Sequence, residues 1–418
     1  MSARIPLPLA LLALVLFLIP LRAQEAVVRQ DKVIAGGPKD ALEVRHLVLR
    51  GTNEEIGKAL ATIAKERFGV AVDSSSDPLR TRAQRRYIEK NYPILFDRMR
   101  GVAGVYGKKL DDDRWNVSGL SYLNLKAGCS VMYFPPEMTA TKTGILSRDY
   151  DFSTGTIMGE KPPPGRLGDT ARPYVVEMHP DRGYASIALC AYDLLSGVLD
   201  GINSEGLTVS LMADDELISK HGFEPAMDTG VGLGVLQMLR LLLDTCGTVE
   251  DAKEALLMTK QYYEFIPCHY LIADRHGKAF VWEYSQAHNK EYIIENPGQP
   301  LVATNFSLHK YLKGGKPPPT EKMKSICSRY CKLTECIAAR KEKVTVDFIK
   351  ETHKQVDLQF NPKSEKRAVG RTLWHALYIP ENRSLQISFY LRDEPDADKP
   401  GESRVVRSEY LGFELKTK

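Results

Sequence analysis

Residues 127–152 read AGCSVMYFPPEMTATKTGILSRDYDF, and this stretch decides the fold that we predict for the chain. An apolar run opens at Cys129, a loop rich in Pro, Thr and Gly follows, and a second run ends on charged residues. Two strands joined by such a loop pair as a β-hairpin. The pairing would bring Cys129, at the start of one strand, beside Arg148 and Asp151 at the end of the other.

A thiol beside a guanidinium and a carboxylate fits two interpretations. Only the thiolate is a nucleophile, a nearby cation lowers the pKa of a thiol, and a carboxylate can orient an amine or a water. The same residues fit a structural role, in which Cys129 packs in the core and the charged run forms ion pairs at a strand end. The hairpin alone leaves both interpretations open.

The hairpin resembles that of the N-terminal nucleophile (Ntn) hydrolases of the choloylglycine hydrolase and penicillin V acylase family. It is most similar to their isopenicillin N acyltransferase-like (acyl-coenzyme A:6-aminopenicillanic acid acyltransferase) branch. Gly128-Cys129 resembles the bond that these proteins cleave in their own chain, and Arg148 with Asp151 resembles their R-x-x-D motif. The resemblance implies that cleavage makes Cys129 an N-terminal residue.

Further motifs follow in the order found in this family. They are a G-x-N-x-x-G-L turn at residues 201–207, the pair Thr304-Asn305, the pair Ser328-Arg329, and the strand TLWHALY at residues 372–378. Met212 and Ala213 stand where relatives carry a side-chain donor to the oxyanion, so we expect backbone N–H groups near Ala213, or another residue, to replace it. Asn305 alone also fits an ordinary turn or, with Ser307, an N-x-S glycan acceptor.

The resemblance implies five site residues and a mechanism. Cys129 would attack an amide carbonyl with its own α-amine as the base, because an α-amine has a pKa near 8. Asp151 would orient the amine, and Arg148 would favour the thiolate and position the substrate. Asn305 would hold the oxyanion, and Arg329 would complete the charged network. We predict a linear non-peptide amide as substrate, a thioester intermediate, and no cofactor or metal. Water as acceptor gives a hydrolase, and an amine gives an acyltransferase.

Two other functions remain open at this stage. An unprocessed papain-like cysteine protease would pair Cys129 with His375 or His269 and would need no cleavage at Gly128. A non-catalytic binding protein on the same scaffold would keep the fold without turnover.

Residues 1–23 predict a secretory signal peptide. Arg4 precedes an apolar run over residues 7–19, which is too short to span a bilayer comfortably. We therefore expect an exported protein, although an uncleaved N-terminal anchor is the alternative. Export favours hydrolysis, because acyl-coenzyme A is cytoplasmic.

Residues 24–128 form the predicted N-terminal segment, which is mostly helical. We expect a strand over 43–49, a helix over 52–68 opened by a Thr52/Glu55 capping box, a long periodic segment over 78–106 and a helix over 112–125. By resemblance, this segment would stay bound as a small subunit after cleavage. Residues 129–418 would form the catalytic domain.

After Cys129 the pattern changes to short strands and a few helices. We predict strands over 173–178, 185–191, 207–212, 268–273, 279–284, 301–305, 372–379 and 384–391, and helices over 231–243, 248–259 and 320–339. This order fits an α+β fold, a four-layer αββα sandwich with two mainly antiparallel sheets between helical layers, better than a parallel β-α-β series.

Composition excludes some partners and metals. Apolar residues make up 43% and charged residues 26%, and the net charge of +4 falls by two without Arg4 and Arg22. We therefore predict no nucleic-acid partner and no stable membrane contact.

Cys327, Cys331 and Cys336 lack the C-x2-C arms of a zinc site and predict structural thiols or one disulfide. The carboxylates at 111–113 fit a helix N-terminus better than a metal site. The oligomeric state stays open.

Overall fold

The structure is a computed structural model of the chain. It describes residues 27–72, 74–118, 128–156, 159–214, 230–262, 267–285, 288–311, 324–361, 363–398, 401 and 403–416. The signal peptide predicted over residues 1–23 lies outside these ranges, as does the end of the helix predicted over 112–125.

One β-sheet has nine strands in the order β1-β2-β5-β6-β7-β8-β9-β10-β11. Neighbouring strands are antiparallel except for the parallel pair of β2 and β5. The strands are β1 (Val28–Ala35), β2 (Val44–Gly51), β5 (Tyr174–Pro180), β6 (Ser186–Cys190), β7 (Asp200–Asn203), β8 (Thr208–Ala213), β9 (Cys268–Ala273), β10 (Ala279–Ser285) and β11 (Lys290–Glu295).

The second sheet has eight strands and is antiparallel throughout. Its main path is β12-β3-β4-β14-β15-β16, with β13 beside β14 and β17 beside β15. The strands are β3 (Gly128–Phe134), β4 (Ile145–Ser153), β12 (Leu301–Ala303), β13 (Gln359–Phe360), β14 (Gly370–Ile379), β15 (Ser384–Pro395), β16 (Ser403–Arg407) and β17 (Leu411–Glu414).

Seven α-helices cover the outer faces of the described part of the two sheets. They are α1 (Asn53–Ile63), α2 (Pro78–Asn91), α3 (Pro93–Val105), α4 (Val235–Thr245), α5 (Val249–Met258), α6 (Lys324–Ala339) and α7 (Val346–Lys354). A π-helical turn, Ala64–Phe68, continues α1. In the described residues, no helix combines the length and apolar character needed to cross a membrane.

The layers stack as the sequence predicted. Strand β3 contacts β8, and β10 contacts β12, so the two sheets face each other. Helix α1 packs on β2, α4 on β7 and β8, and α5 on β9, whereas α6 packs on β12 of the second sheet. The predicted α+β fold, with two mainly antiparallel sheets between helical layers, is therefore confirmed.

Local sequence explains where several helices begin. Thr52 and Glu55 form the predicted capping box at α1, and Thr248 and Asp251 form one at α5. Each capping box satisfies backbone N–H donors at the first turn of its helix. The periodic segment predicted over 78–106 is two helices. It divides at Pro93, which begins α3 because proline lacks an N–H and fits the first helical position.

The helix predicted over 112–125 is wrong for the described residues 112–118, which form turns. The Asp112 side chain accepts the backbone N–H of Arg114 at 3.1 Å and pairs with its guanidinium, so a local turn replaces helical hydrogen bonding. Strands β1, β7, β11, β13, β16 and β17 and helix α7 were not predicted. The N-terminal segment thus supplies two strands to the larger sheet as well as helices.

Candidate active site

The β3–β4 hairpin forms as predicted and fixes which residues lie opposite each other. Gly128 pairs with Asp151, and Cys129 pairs with Tyr150. Side chains alternate along a strand, so Cys129 and Arg148 face the nine-stranded sheet while Asp151 faces the helical layer. Strand β4 is buried from Ile145 to Phe152, which places the site inside the sandwich.

Arg148 is the cation closest to the thiol. Its Nη2 lies 3.6 Å from the Cys129 Sγ, and both side chains are fully buried. Strand β8 holds the guanidinium, because Nη2 donates to the Leu211 carbonyl at 2.7 Å and Nε donates to the Ser210 hydroxyl at 2.8 Å. Asp200, on β7, adds an ion pair at 2.9 Å. The thiol therefore faces a cation that strands of the opposite sheet hold in place.

The main chain of Cys129 is held on both sides. Its N–H donates to the Asn305 Oδ1 at 2.6 Å, and its carbonyl accepts from the Arg329 Nη1 at 2.6 Å. Arg329 also reaches the Asp151 Oδ2 at 3.0 Å and the Asn305 Oδ1 at 2.8 Å. The Thr372 hydroxyl donates to the second oxygen of Asp151 at 2.6 Å. All five predicted site residues thus lie together around Cys129 and the two peptide units that flank it.

The Asn305 amide faces the nucleophile in an orientation that its predicted role did not include. Its oxygen accepts the Cys129 N–H, and its Nδ2 donates to the Ala213 carbonyl at 2.8 Å. Against the larger effect of burial, the Ala213 backbone acts to lower the pKa of the Cys129 thiol. Residue 213, whose side chain offers no donor, therefore meets the site through its main-chain carbonyl, and a backbone donor to the oxyanion near this residue stays a prediction.

Burial determines the protonation of the thiol in this uncut chain. Burial raises the pKa of Cys129 above its ordinary value, although Arg148 and Arg329 act in the opposite direction. Burial likewise raises the pKa of Asp151, against the attraction of Arg329. The predicted effect of Arg148 on the thiolate is present, but burial outweighs it while the chain is uncut.

A buried ionic network supports the segment that carries Asn305. The His269 ring, on β9, contacts the Thr304 carbonyl through Nε2 at 2.7 Å and the Glu283 carboxylate through Nδ1 at 3.2 Å. Glu283 accepts the backbone N–H groups of Leu308 and His309 at 2.7 and 2.9 Å. Residues 304–309 are therefore fastened to the nine-stranded sheet, beside the thiol.

Neither histidine proposed as a papain-like partner is hydrogen-bonded to Cys129. The ring nitrogens of His269 have the partners just given, and those of His375 contact Ser147 at 2.8 Å and Tyr410 at 2.5 Å. His375 also lies on β14 with its pKa lowered to about 3, mainly by burial, so it is a neutral hydrogen-bonding group. The geometry argues against a Cys-His dyad.

In the described residues, two groups of three side chains offer metal-ligand atoms that lie within 4.8 Å of one another. One group is Asp149, His353 and His375, and the other is Asp214, His269 and Glu283. Both groups are already joined by internal contacts, such as the 2.7 Å contact between Asp149 and His353. The seven cysteines, all in described residues, form no disulfide in the structure.

Thr372, Ser210 and Asp200 are site residues that were not predicted. Thr372 lies in a motif that the sequence singled out, but nothing in the motif indicates its bond to Asp151. Ser210 and Asp200 contact Arg148 from separate strands, and no local pattern marks them.

A family model described as acyl-coenzyme A:6-aminopenicillanic acid acyl-transferase matches residues 169–393, which is more than half of the chain. The chain belongs to this family. The match includes Asn305 and Arg329, whereas the β3–β4 hairpin of this acyl-transferase family member precedes it. No curated protein sequence matches the chain.

Two solved structures are similar to this acyl-transferase family member. A mutant of the conjugated bile acid hydrolase from Clostridium perfringens is 13% identical, with a TM-score of 0.41 over 69% of this chain and 97% of that chain. The penicillin V acylase from Agrobacterium tumefaciens is 13% identical, with a TM-score of 0.36 over 67% of this chain and 86% of that chain.

Proposed function

We propose that the protein is an exported cysteine amidohydrolase that cleaves its own Gly128–Cys129 bond and then uses Cys129 as an N-terminal nucleophile. One observation supports this proposal above all. Asn305 holds the Cys129 N–H and Arg329 holds the Cys129 carbonyl, so both peptide units that flank this residue are fixed, while its thiol faces Arg148. A cysteine with a purely structural role would also need partners for its backbone, but it would not need a buried guanidinium at its thiol or a charged pair, Arg329 with Asp151, at its main chain.

In the proposed self-cleavage, the Cys129 sulfur attacks the Gly128 carbonyl carbon. The carbon–nitrogen bond breaks, the thiol proton passes to the departing nitrogen, and a thioester joins Gly128 to the sulfur. Water then hydrolyses the thioester, which leaves a carboxylate on Gly128 and a free α-amine and thiol on Cys129. Asn305 would hold the departing nitrogen through its side-chain oxygen, which accepts that N–H in the uncut chain.

In turnover, the new α-amine would take the proton of the thiol, because its pKa near 8 leaves a large neutral fraction at neutral pH. The sulfur attacks the amide carbonyl of the substrate, the amine leaves with a proton, and water hydrolyses the acyl thioester. Asp151 and Arg329 would fix the α-amine region through their ion pair. A backbone N–H near Ala213 would be the donor to the oxyanion.

Acyl transfer to an amine is the second candidate, since the matched family is described as an acyl-transferase. The two similar solved structures are named as a conjugated bile acid hydrolase and a penicillin V acylase. Both reactions share the thioester, so they differ only in the acceptor. We favour a small linear amide as substrate and water as acceptor, because the proposed export separates the protein from acyl-coenzyme A.

The fully buried thiol gives the proposal an order of events. Cys129 is 0% exposed in the uncut chain, so substrate has no access to the sulfur before scission. We infer that self-cleavage precedes turnover and opens the site. A neutral buried thiol is also protected from oxidation until then.

The intact mass and N-terminal sequences of the purified protein test the proposal. We expect one chain that begins after residue 23 and ends at Gly128, and a second that begins at Cys129. Cys129→Ala should abolish both the cut and amide turnover, and Cys190→Ala, which removes another buried thiol, should change neither. An uncut wild-type chain, or a cut Cys129→Ala chain, would refute the proposed nucleophile.

The fate of the acyl group separates the remaining functions. A panel of linear amides should release free acid at the same rate with or without added hydroxylamine if water is the acceptor. Preferential formation of the hydroxamate would favour the acyltransferase. Labelling of Cys129 by a thiol probe, without turnover of any amide, would favour a non-catalytic binding protein.

A further inference from the structure

A small buried cavity lies on the far side of the nine-stranded sheet from Cys129. Its volume is about 50 Å³, and residues of α1, α3, α4, β5 and β6 line it. Most of its wall is apolar, with contributions from Leu60, Met99, Met178, Leu194 and Val198. The polar residues of the lining are Arg98, Arg240 and Ser118.

The charges around this cavity do not balance. Arg98 and Arg240 share a single carboxylate, Asp244, with ion pairs of 2.7 and 2.8 Å. All three side chains are at least nine-tenths buried, and Tyr92 also donates to Asp244. Although burial alone would raise it, the two arginines hold the pKa of Asp244 below its ordinary value, so the carboxylate is charged. Two guanidinium groups against one carboxylate leave one net positive charge.

The unbalanced charge belongs to Arg240. Arg98 uses Nε, Nη1 and Nη2 in hydrogen bonds to Asn53 and Asp244. Arg240 uses only Nη2, which contacts Asp244 and Ser186, and among the described residues its Nε and Nη1 have no partner. Buried cations with unfilled donors are costly, so such a group favours an anion beside it.

The cavity size limits the anion. One water-sized sphere takes roughly 10–15 Å³, so the cavity holds about four non-hydrogen atoms. A monovalent anion balances the charge, whereas a phosphate dianion would exceed it. The apolar residues of the wall suit a methyl group better than further polar atoms. We propose that this cavity binds a small monocarboxylate of the size of acetate, with its carboxylate on Arg240 and its alkyl end on the apolar wall.

Binding of 13C-labelled acetate to the full-length protein, followed by NMR line broadening, tests the site. We expect saturable binding of acetate. Formate, a smaller monocarboxylate, should compete with it, and neutral acetamide should not. Arg240→Met should weaken acetate binding at least tenfold, whereas Arg182→Met, which removes an exposed arginine, should leave it unchanged. Arg240→Met also leaves Arg98 and Asp244 as a balanced pair, so we expect the variant to fold.

The outcomes separate the possibilities without relying on the variant alone. The proposal would be overturned if the wild type did not bind acetate, if acetamide bound as well as acetate, or if Arg240→Met bound acetate as well as the wild type does. Competition by chloride at equal ionic strength, with no preference for acetate, would assign the cavity to a simple halide and would also overturn it. Cys129→Ala should bind acetate normally, so this result does not depend on the proposed nucleophile.

Discussion

At the scale of single residues, Gly128 is a position where the lack of a side chain decides whether the site can form. A Cβ on Gly128 would lie 2.9 Å from the Asp151 Cβ and 3.0 Å from its Oδ2. Those distances are too short, because Gly128 pairs directly with Asp151 across the hairpin. Glycine here makes room for the carboxylate that Arg329 and Thr372 hold.

This crowding predicts the effect of Gly128→Ala on self-cleavage. The methyl group should displace Asp151 or the peptide unit, and we expect scission at the proposed bond to slow at least tenfold. Time courses of the cut fraction, measured by intact mass, check this. Gly104→Ala is the matched control, because a Cβ there meets nothing within 4 Å. Cleavage of Gly128→Ala at the wild-type rate would show that the contact is unimportant.

The sequence identified the five site residues but not how they connect. Cys129, Arg148 and Asp151 were predictable because a hairpin brings nearby residues together. Asn305 and Arg329 came from motif order, since no local pattern joins residues about 180 positions apart. The orientation of the Asn305 amide could not be predicted, because it depends on the carbonyl of Ala213 and on Arg329, which only the folded chain places beside it.

At the scale of elements, the segment 304–309 depends on one buried imidazolium. The pKa of His269 is raised to about 10, because Asp214 and Glu283 stabilise its charge by more than burial disfavours it. The folded state therefore binds this proton more tightly than an unfolded chain, in which the pKa of histidine is about 6.5. Its stabilisation is complete below pH 6.5 and is lost as the pH rises towards 10.

His269→Gln should remove this pH dependence. We expect the free energy of unfolding of the Cys129→Ala chain to fall between pH 6.5 and 10 by up to about 1.4 kcal/mol per pH unit. The double variant with His269→Gln should be less stable at pH 6.5 and should show a flatter profile. Urea unfolding at several pH values measures both. His276→Gln, at an exposed turn, is the control, and parallel profiles for all three chains would contradict the assignment.

Elements with a strong local pattern were predictable, and edge elements were not. The capping boxes of α1 and α5 and the apolar runs of β8 and β9 mark those elements in the sequence. Strands β1 and β11 lie at the two edges of the nine-stranded sheet and are largely exposed, so neither shows clear alternation. Their conformation comes from pairing with neighbouring strands, which is a tertiary effect.

At the scale of the whole molecule, the N-terminal segment is built into the sandwich. Strand β2 pairs in parallel with β5 over the full length from Arg45 to Gly51, and Leu47 and Leu49 are completely buried. Helix α3 adds the buried ion pair of Arg98 with Asp244, on α4. The layers were predictable from element order and from the resemblance, but the sequence did not indicate that this segment completes a sheet. Parallel pairing of strands more than 120 residues apart has no local signal.

This architecture predicts that the proposed scission at Gly128–Cys129 leaves one molecule. Strand pairing, core contacts and the buried ion pair on either side of the bond do not depend on the bond itself. Native mass spectrometry should therefore detect both fragments in a single species, and strong denaturant should separate them.

Leu47→Ala should destabilise the complex by about 2–5 kcal/mol, because it leaves a cavity in a closely packed core. Val33→Ala, on the same sheet but 44% exposed, should have little effect on the denaturant concentration at which the fragments separate. If the fragments dissociate under native conditions, the contacts between β2 and β5 do not hold the cut chain together, and residues 24–128 are a removable pro-segment instead of a subunit.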